Sequence, residues 1–271
     1  MARKNSRTTY LILFVIIVVG LYYAEKYIDN NHTKFPDISN EDMPWEASEF
    51  SEDFFPPSTT GSLVKHNYYR LSYAEMHEQA EWVAYELKKS HLSTNEIDRP
   101  YFILDDKVSS KSADWRNYKN SGYDRGHLCP AGDRRFKLEA FNETFFTSNI
   151  SPQLPEFNGR TWNYLEQQVR RWAEKRDGVF VITGPVFRVG SKSIGSEKVS
   201  VPTHFFKIVL DKSAKGLESI AFLIPHREGL GSYKTFETSI DRIESETGIN
   251  FLAFLEDSQE RALEAQTQSG F

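Results

Sequence analysis

The stretch Ser121 to Arg135, SGYDRGHLCPAGDRR, gathers three arginines, three glycines, two aspartates and one histidine, with little that is apolar to bury. His127 is the side chain there whose ordinary pKa, near 6.5, suits proton abstraction at neutral pH. Arg125 offers a fixed cation with rigid donors. Asp124 offers an acceptor that could orient a neighbour, and Gly126 removes a side chain so that a large ligand could approach the backbone. A lone histidine is more often a structural residue than a catalyst, so His127 by itself supports either reading.

A second constellation lies in SNISPQLPEFNGRTWNYLEQQ, residues 148 to 168. If a helix starts near Asn158, Glu166 is eight residues on and rotated by about 80°, its side chain leaning back toward the helix start. An asparagine carbonyl and a carboxylate so placed could share a hydrated magnesium ion, which prefers oxygen ligands and keeps most of its waters. The same pair could equally be an N-cap asparagine and a solvated glutamate.

Cys129 is the single cysteine, so an intramolecular disulfide and a multi-thiolate zinc cluster are both excluded. It stands two residues from His127. On a strand that spacing turns both side chains the same way without bringing the imidazole to the sulfur, and a small packed residue suffices to explain it.

The elements that must position these residues follow from pattern. Runs at 101–105, 144–148, 178–183, 203–210 and 217–224 are β-rich, and 80–87 fits either a strand or a helix. Trp162, Leu165, Val169, Trp172 and Ala173 recur at helical spacing over 161–176. Tyr233, Phe236, Ile240 and Ile243 do so over 232–246, with Gly248 as a stop signal. Strands and helices interleave without a regular βαβ rhythm, which predicts an α+β domain over 65–256. The tail 257–271 reads as polar and frayed.

The N-terminus sets Arg3, Lys4 and Arg7 before an apolar run over 10–24. That run is somewhat short of the roughly 20 residues a bilayer needs. An uncleaved signal-anchor over 1–25 is the expected reading, ahead of a cleaved signal peptide or a buried core helix. Either export signal sends the following domain across the membrane, where it stays anchored or is secreted. Residues 26–64, acidic and rich in Pro, Ser and Asn, read as a flexible tether. The formal net charge is −5, yet residues 36–56 hold seven acids and no base, and residues 107–137 hold eight Lys or Arg against three Asp. Overall acidity therefore does not exclude a polyanionic partner.

Together these segments resemble the DNA/RNA non-specific endonucleases of the ββα-metal (His-Me finger) class, the group that includes endonuclease G. The resemblance rests on Asp124-Arg125-Gly126-His127, Pro130-Ala131-Gly132-Asp133, Ser148-Asn149-Ile150-Ser151-Pro152-Gln153, and Asn158 with Trp162 and Leu165-Glu166. It extends more weakly from Trp82 to Phe251. One departure is Gly159, where relatives often carry a longer polar side chain.

The resemblance implies an α+β domain with a central mixed or antiparallel sheet flanked by helices, and metal-dependent cleavage of DNA and RNA with little sequence preference. By position, His127 resembles the general base and Asn158 the direct protein ligand of Mg²⁺, for which Mn²⁺ could substitute. Glu166 resembles the carboxylate that holds the metal's waters, and Asn149 a residue that supports the site. Arg125 and Arg99 resemble the cations that meet the phosphate. Such roles suit a reaction that places negative charge on phosphate oxygens. Reading backbone rather than bases explains the lack of sequence preference. The alternative is a membrane-tethered module that binds nucleic acid without turnover. The sequence leaves the oligomeric state open.

Overall fold

Val, Ile and Phe dominate the long strands at the centre of the molecule, and such strands are stable only when both faces are covered. The computed structural model describes residues 5–31, 50–59, 61–213, 216–267 and 271, and the chain forms two compact units, Met1–Ser39 and Asn40–Phe271. In the second unit β1 (Ser62–Lys65), β2 (Arg70–Ala74), β3 (Gln79–Lys88), β6 (Gly178–Val186), β9 (His204–Ser213), β10 (Gly216–Pro225) and β11 (Glu237–Thr238) form a seven-stranded sheet in that spatial order. Every neighbouring pair is antiparallel. The skipped numbers belong to two short ribbons, β4 (Asp124–His127) with β5 (Ile150–Gln153), and β7 (Ser193–Ile194) with β8 (Val199–Ser200).

Each face of the sheet has its own apolar layer. Helix α3 (Asn163–Arg176) lays Leu165, Val169 and Trp172, with Trp162 just before it, against Tyr85, Val181, Phe205 and Val209. On the other face α4 (Ile240–Thr247) and α5 (Asp257–Glu264) bring Ile240, Ile243 and Leu263 against Trp82, Phe180 and Ile208. The short α2 (Leu138–Glu143) lies in the connection between β4 and β5. Burial of each large apolar side chain contributes about 1.5–3 kcal/mol, so the sheet is a stiff platform for the ribbon and helix that carry the site.

Several expectations need correction. Only Ile103 of 101–105 pairs, in a lone bridge to Phe146, and 144–148 is mostly turn. The expected helix over 232–246 breaks into a turn at Tyr233–Phe236, the strand β11 and then α4. Ser239 causes the late start, because its Oγ accepts from the Arg242 N–H at 3.2 Å, and Gly248 ends the helix at φ 74°.

About half of the expected tether, 32–49 and residue 60, lies outside the described residues. Its last part is not a tether, since Phe50 and Phe54 are buried on Phe180. Nor is the whole tail frayed. Leu263 is buried, and Phe271 packs edge-on against Trp172.

In the first unit α1 (Asn5–Asn31) is a helix. Among the described residues no helix is long and apolar enough to cross a membrane, which corrects the expected spanning segment. The apolar run over 10–24 is about 22 Å long at 1.5 Å per residue, against a hydrocarbon core of about 30 Å.

Candidate active site

β4 and β5 pair with Asp124 opposite Gln153 and His127 opposite Ile150. The glycine between Arg125 and His127 does not clear a path for a ligand as its type suggested. A Cβ at Gly126 would lie 2.2 Å from Gln153 Cδ, so the space it leaves is filled by that buried side chain.

The connection from β4 returns to β5 through Asn149, which is fully buried. Its Oδ1 accepts from Cys129 N at 2.8 Å, and its Nδ2 donates to Cys129 O at 3.0 Å and Thr144 O at 2.9 Å. Leu128 N donates to Asn149 O at 2.9 Å. Asn149 thus clamps the chain just after His127 and is absent from the lining of the cleft that His127 shares.

After β5 the chain makes a π-helical turn, Phe157–Trp162, before α3 begins. Such turns widen a helix locally and recur at functional sites. Phe157 and Trp162 are buried and stacked at 5.6 Å, which fixes the turn and leaves the Asn158 side chain partly exposed between them. Asn158 Nδ2 donates to Asp124 Oδ2 at 3.0 Å. An amide has one donor end and one acceptor end, so this bond commits the nitrogen and leaves Oδ1 as the free end. Asp124 therefore orients Asn158, where its sequence position suggested that it would orient His127.

Two adjoining clefts meet at Asn158 and Arg99. One, of about 410 Å³, is lined by His127, Asn158, Glu166, Arg170, Arg99 and Arg135. The other, of about 610 Å³, adds Arg125, Trp115, Phe102 and Tyr101. The structure thus assembles His127, Asn158, Glu166, Arg99 and Arg125 in one region, and Asn149 braces it from behind. Arg99 reaches it because Ile103 pairs with the 145–147 segment through bonds to Phe145 O and from Thr147 N.

Each cation shares an aromatic neighbour with the imidazole. The Arg99 guanidinium lies 5.4 Å from the Phe145 ring, which meets His127 edge-on at 5.1 Å. The Arg125 guanidinium lies 4.8 Å from the Phe102 ring, which is 5.5 Å from His127. Burial first, and then the charges of Arg99 and Arg125, push the His127 pKa down to about 3. Its Nε2 is buried without a hydrogen-bond partner. An imidazolium needs acceptors for both N–H groups, so this geometry also favours the neutral ring.

Glu166 sits in a buried charged network that sequence reasoning missed. Arg170 NH2 lies 3.8 Å from Glu166 Oε2, and Arg170 Nε donates to Asp133 Oδ1 at 2.6 Å. Asp133 Oδ2 accepts from the Tyr85 hydroxyl at 2.9 Å. The buried Lys207 lies 4.6 Å from the Trp162 ring and donates to the Thr183 hydroxyl at 3.2 Å. Burial raises the Glu166 pKa to about 7, against the lowering effect of Lys207 and Arg170. Gly132 belongs to this network, because a Cβ there would sit 2.7 Å from Arg170 NH2. The available signal was Arg170, one turn after Glu166, with Gly132-Asp133 in the same motif as His127.

Cys129 is buried, and burial raises its thiol pKa to about 12, so a thiolate nucleophile finds no support. The one group of three possible His, Cys, Asp or Glu metal ligands among the described residues, Asp241 with Glu244 and Glu264, is not in the cleft. The cleft instead offers an oriented amide oxygen and a carboxylate. That donor set fits a hard cation that keeps most of its water.

The DNA/RNA non-specific endonuclease family model matches residues 46–258. Mitochondrial endonuclease G of Caenorhabditis elegans is 31% identical over 249 residues, 80% of this chain and 80% of that protein. A nuclease of Nostoc sp. is 33% identical over 222 residues, 76% of this chain and 79% of that protein. The crystal structure of the EndoG/EndoGI complex, described as showing the mechanism of EndoG inhibition, superposes with a TM-score of 0.69 at 29% identity, over 74% of this chain and 89% of that one. The chain belongs to the DNA/RNA non-specific endonuclease family and is a nuclease that hydrolyses phosphodiester bonds.

Proposed function

We propose that this nuclease cleaves both DNA and RNA with little sequence preference, in a reaction that depends on Mg²⁺ and uses His127 as general base. The observation that carries this reading is the bond from Asn158 Nδ2 to Asp124, which presents Asn158 Oδ1 in a cleft shared with His127, Glu166 and Arg99.

Asn158 would hold the ion directly and Glu166 would hold its waters. Bound there, Mg²⁺ supplies positive charge at the leaving oxygen, and Mn²⁺ could replace it. The residues of this chain do the rest. Arg99 and Arg125 donate to the phosphate and hold the scissile bond in the cleft. His127, neutral across the physiological range, takes a proton from the attacking water. Asn149 keeps the chain after His127 in register. Contacts to phosphate oxygens carry no base information, which is the source of the broad specificity.

Cleavage of plasmid and of RNA with Mg²⁺, and again with chelator, tests the reading. Metal-dependent cleavage of both substrates is expected, and equal cleavage in excess chelator would overturn it. We also propose that the domain works outside the cytoplasm, because Arg3, Lys4 and Arg7 ahead of an apolar run too short to span a bilayer have the pattern of a secretory signal. Recovery of the intact domain in the soluble cytoplasmic fraction would contradict this.

A further inference from the structure

Helix α3 presents two neighbouring strips, and only one of them faces the cleft described above. Asn163, Glu166 and Arg170 line that cleft. Tyr164, Gln167 and Arg171, each one residue later and so turned by about 100°, line a separate trough of about 490 Å³ with Arg160. Its far wall is the segment 230–233, and Thr161 Oγ1 ties the walls together by donating to Gly231 O at 3.4 Å. Tyr233 on that wall is buried, whereas Tyr164 is 53% exposed. Arg160 and Arg171 are exposed as well, and no acidic side chain lines the trough.

The motif does not require this composition, since none of these side chains supports His127 or Asn158. Arg160 meets Glu156 Oε1 at 3.4 Å and Arg171 donates to Gln168 Oε1 at 2.8 Å, both on the exposed surface beside the trough. With no carboxylate in the lining itself, two guanidiniums beside an exposed phenol ring match what an unpaired nucleic-acid strand needs. The cations follow the backbone and the ring stacks on a base. The trough also adjoins the catalytic cleft through consecutive residues, Asn163 lining one and Tyr164 the other.

We infer that this trough is a second nucleic-acid subsite, which takes unpaired nucleotides of the substrate strand beyond the scissile phosphate, with Tyr164 as stacking platform and Arg160 and Arg171 on the phosphates. The inference rests on the proposed nuclease reading for the position of the scissile phosphate.

Steady-state cleavage of single-stranded oligonucleotides of about 4 and about 20 nucleotides tests it. For Arg160→Ala/Arg171→Ala the expected result is a KM at least ~10-fold higher on the long oligonucleotide, with kcat within about twofold. The magnitude of its log–log salt slope should fall by about 1.4, the value for two phosphate contacts on a single strand. Tyr164→Ala should raise the long-substrate KM and Tyr164→Phe should restore it. The short oligonucleotide should be cut as by the wild type in every case.

Unchanged KM on the long substrate would overturn the inference, as would an equal rise on both lengths. An effect confined to duplex DNA would also overturn it, by placing the complementary strand there. Failure of the underlying reading is separate: wild-type cleavage of the short oligonucleotide would then be indifferent to chelator, whatever the trough variants do.

Discussion

Asp124 Oδ2 accepts the Asn158 side-chain amide at 3.0 Å, so the first residue of the DRGH stretch reaches across to the helix turn and sets which end of Asn158 faces the cleft. This bond links strand β4 to the residue that the account assigns to the metal. Asp124→Ala frees the amide to rotate, and the concentration of Mg²⁺ for half-maximal cleavage should rise ~10–100-fold, the usual cost of losing a residue that orients a ligand. Excess Mg²⁺ should recover part of the rate. A Mg²⁺ titration indistinguishable from wild type would show that Asp124 does not orient the ligand.

Glu166, with its pKa raised to about 7 by burial, changes charge within the working range. Its ionised form holds metal-bound water, so cleavage at sub-saturating Mg²⁺ should rise as the pH passes upward through about 7. Glu166→Gln, which stays neutral, should show a low rate without that rise. If the variant retained both the rate and the limb, another group would be responsible.

The histidine behaves differently. The His127 pKa falls to about 3 in the fold, from about 6.5 in an unfolded chain. Between those values the unfolded state binds the extra proton, so stability is complete above about pH 6.5 and declines as the pH falls toward 3. His127→Gln removes this titration, and its thermal midpoint should decline less than that of wild type between pH 6.5 and 4. Equal slopes would mean that His127 is not held neutral by the fold. The same shift means that the acid limb of activity near neutrality belongs to Glu166 rather than to His127, contrary to what an ordinary histidine pKa suggests.

Asn149 makes three side-chain hydrogen bonds in a fully buried position. Asn149→Ala leaves buried backbone groups at Cys129 and Thr144 without these partners, each costing about 1–3 kcal/mol. Thermal denaturation should show a large loss of stability, and Mg²⁺ affinity in the fraction that remains folded should change little. A variant with wild-type stability and lost activity would instead place Asn149 in the chemistry.

The long strands β6, β9 and β10 were legible because continuous runs of branched and aromatic residues leave little other choice, and α3 was legible from its tryptophan and leucine spacing. The helix expected over 232–246 failed at Ser239, whose cap begins a new helix inside an unbroken apolar period. At the site, the sequence pointed to His127 and Arg125 through the DRGH stretch, and to Asn158 and Arg99 through the family resemblance, and the structure places all four along two adjoining clefts. Asp133, Tyr85 and Lys207 were not legible, because they converge on Glu166 and Arg170 from separate strands and turns, and no local pattern encodes a contact between Arg170 and Asp133, 37 residues apart. Gly126 was misread for a related reason: the side chain it makes room for, Gln153, lies on the partner strand.

The central claim is that His127 removes the proton from water while Asn158 and Glu166 serve the metal. Single-turnover cleavage of plasmid by His127→Ala at saturating Mg²⁺ and substrate, with Mg²⁺ affinity measured in parallel by calorimetry, tests it most directly. The account predicts a rate at least ~10²-fold below wild type, the lower range for loss of a general base, with Mg²⁺ affinity nearly unchanged. Cleavage at the wild-type rate by the folded, metal-binding variant would contradict it.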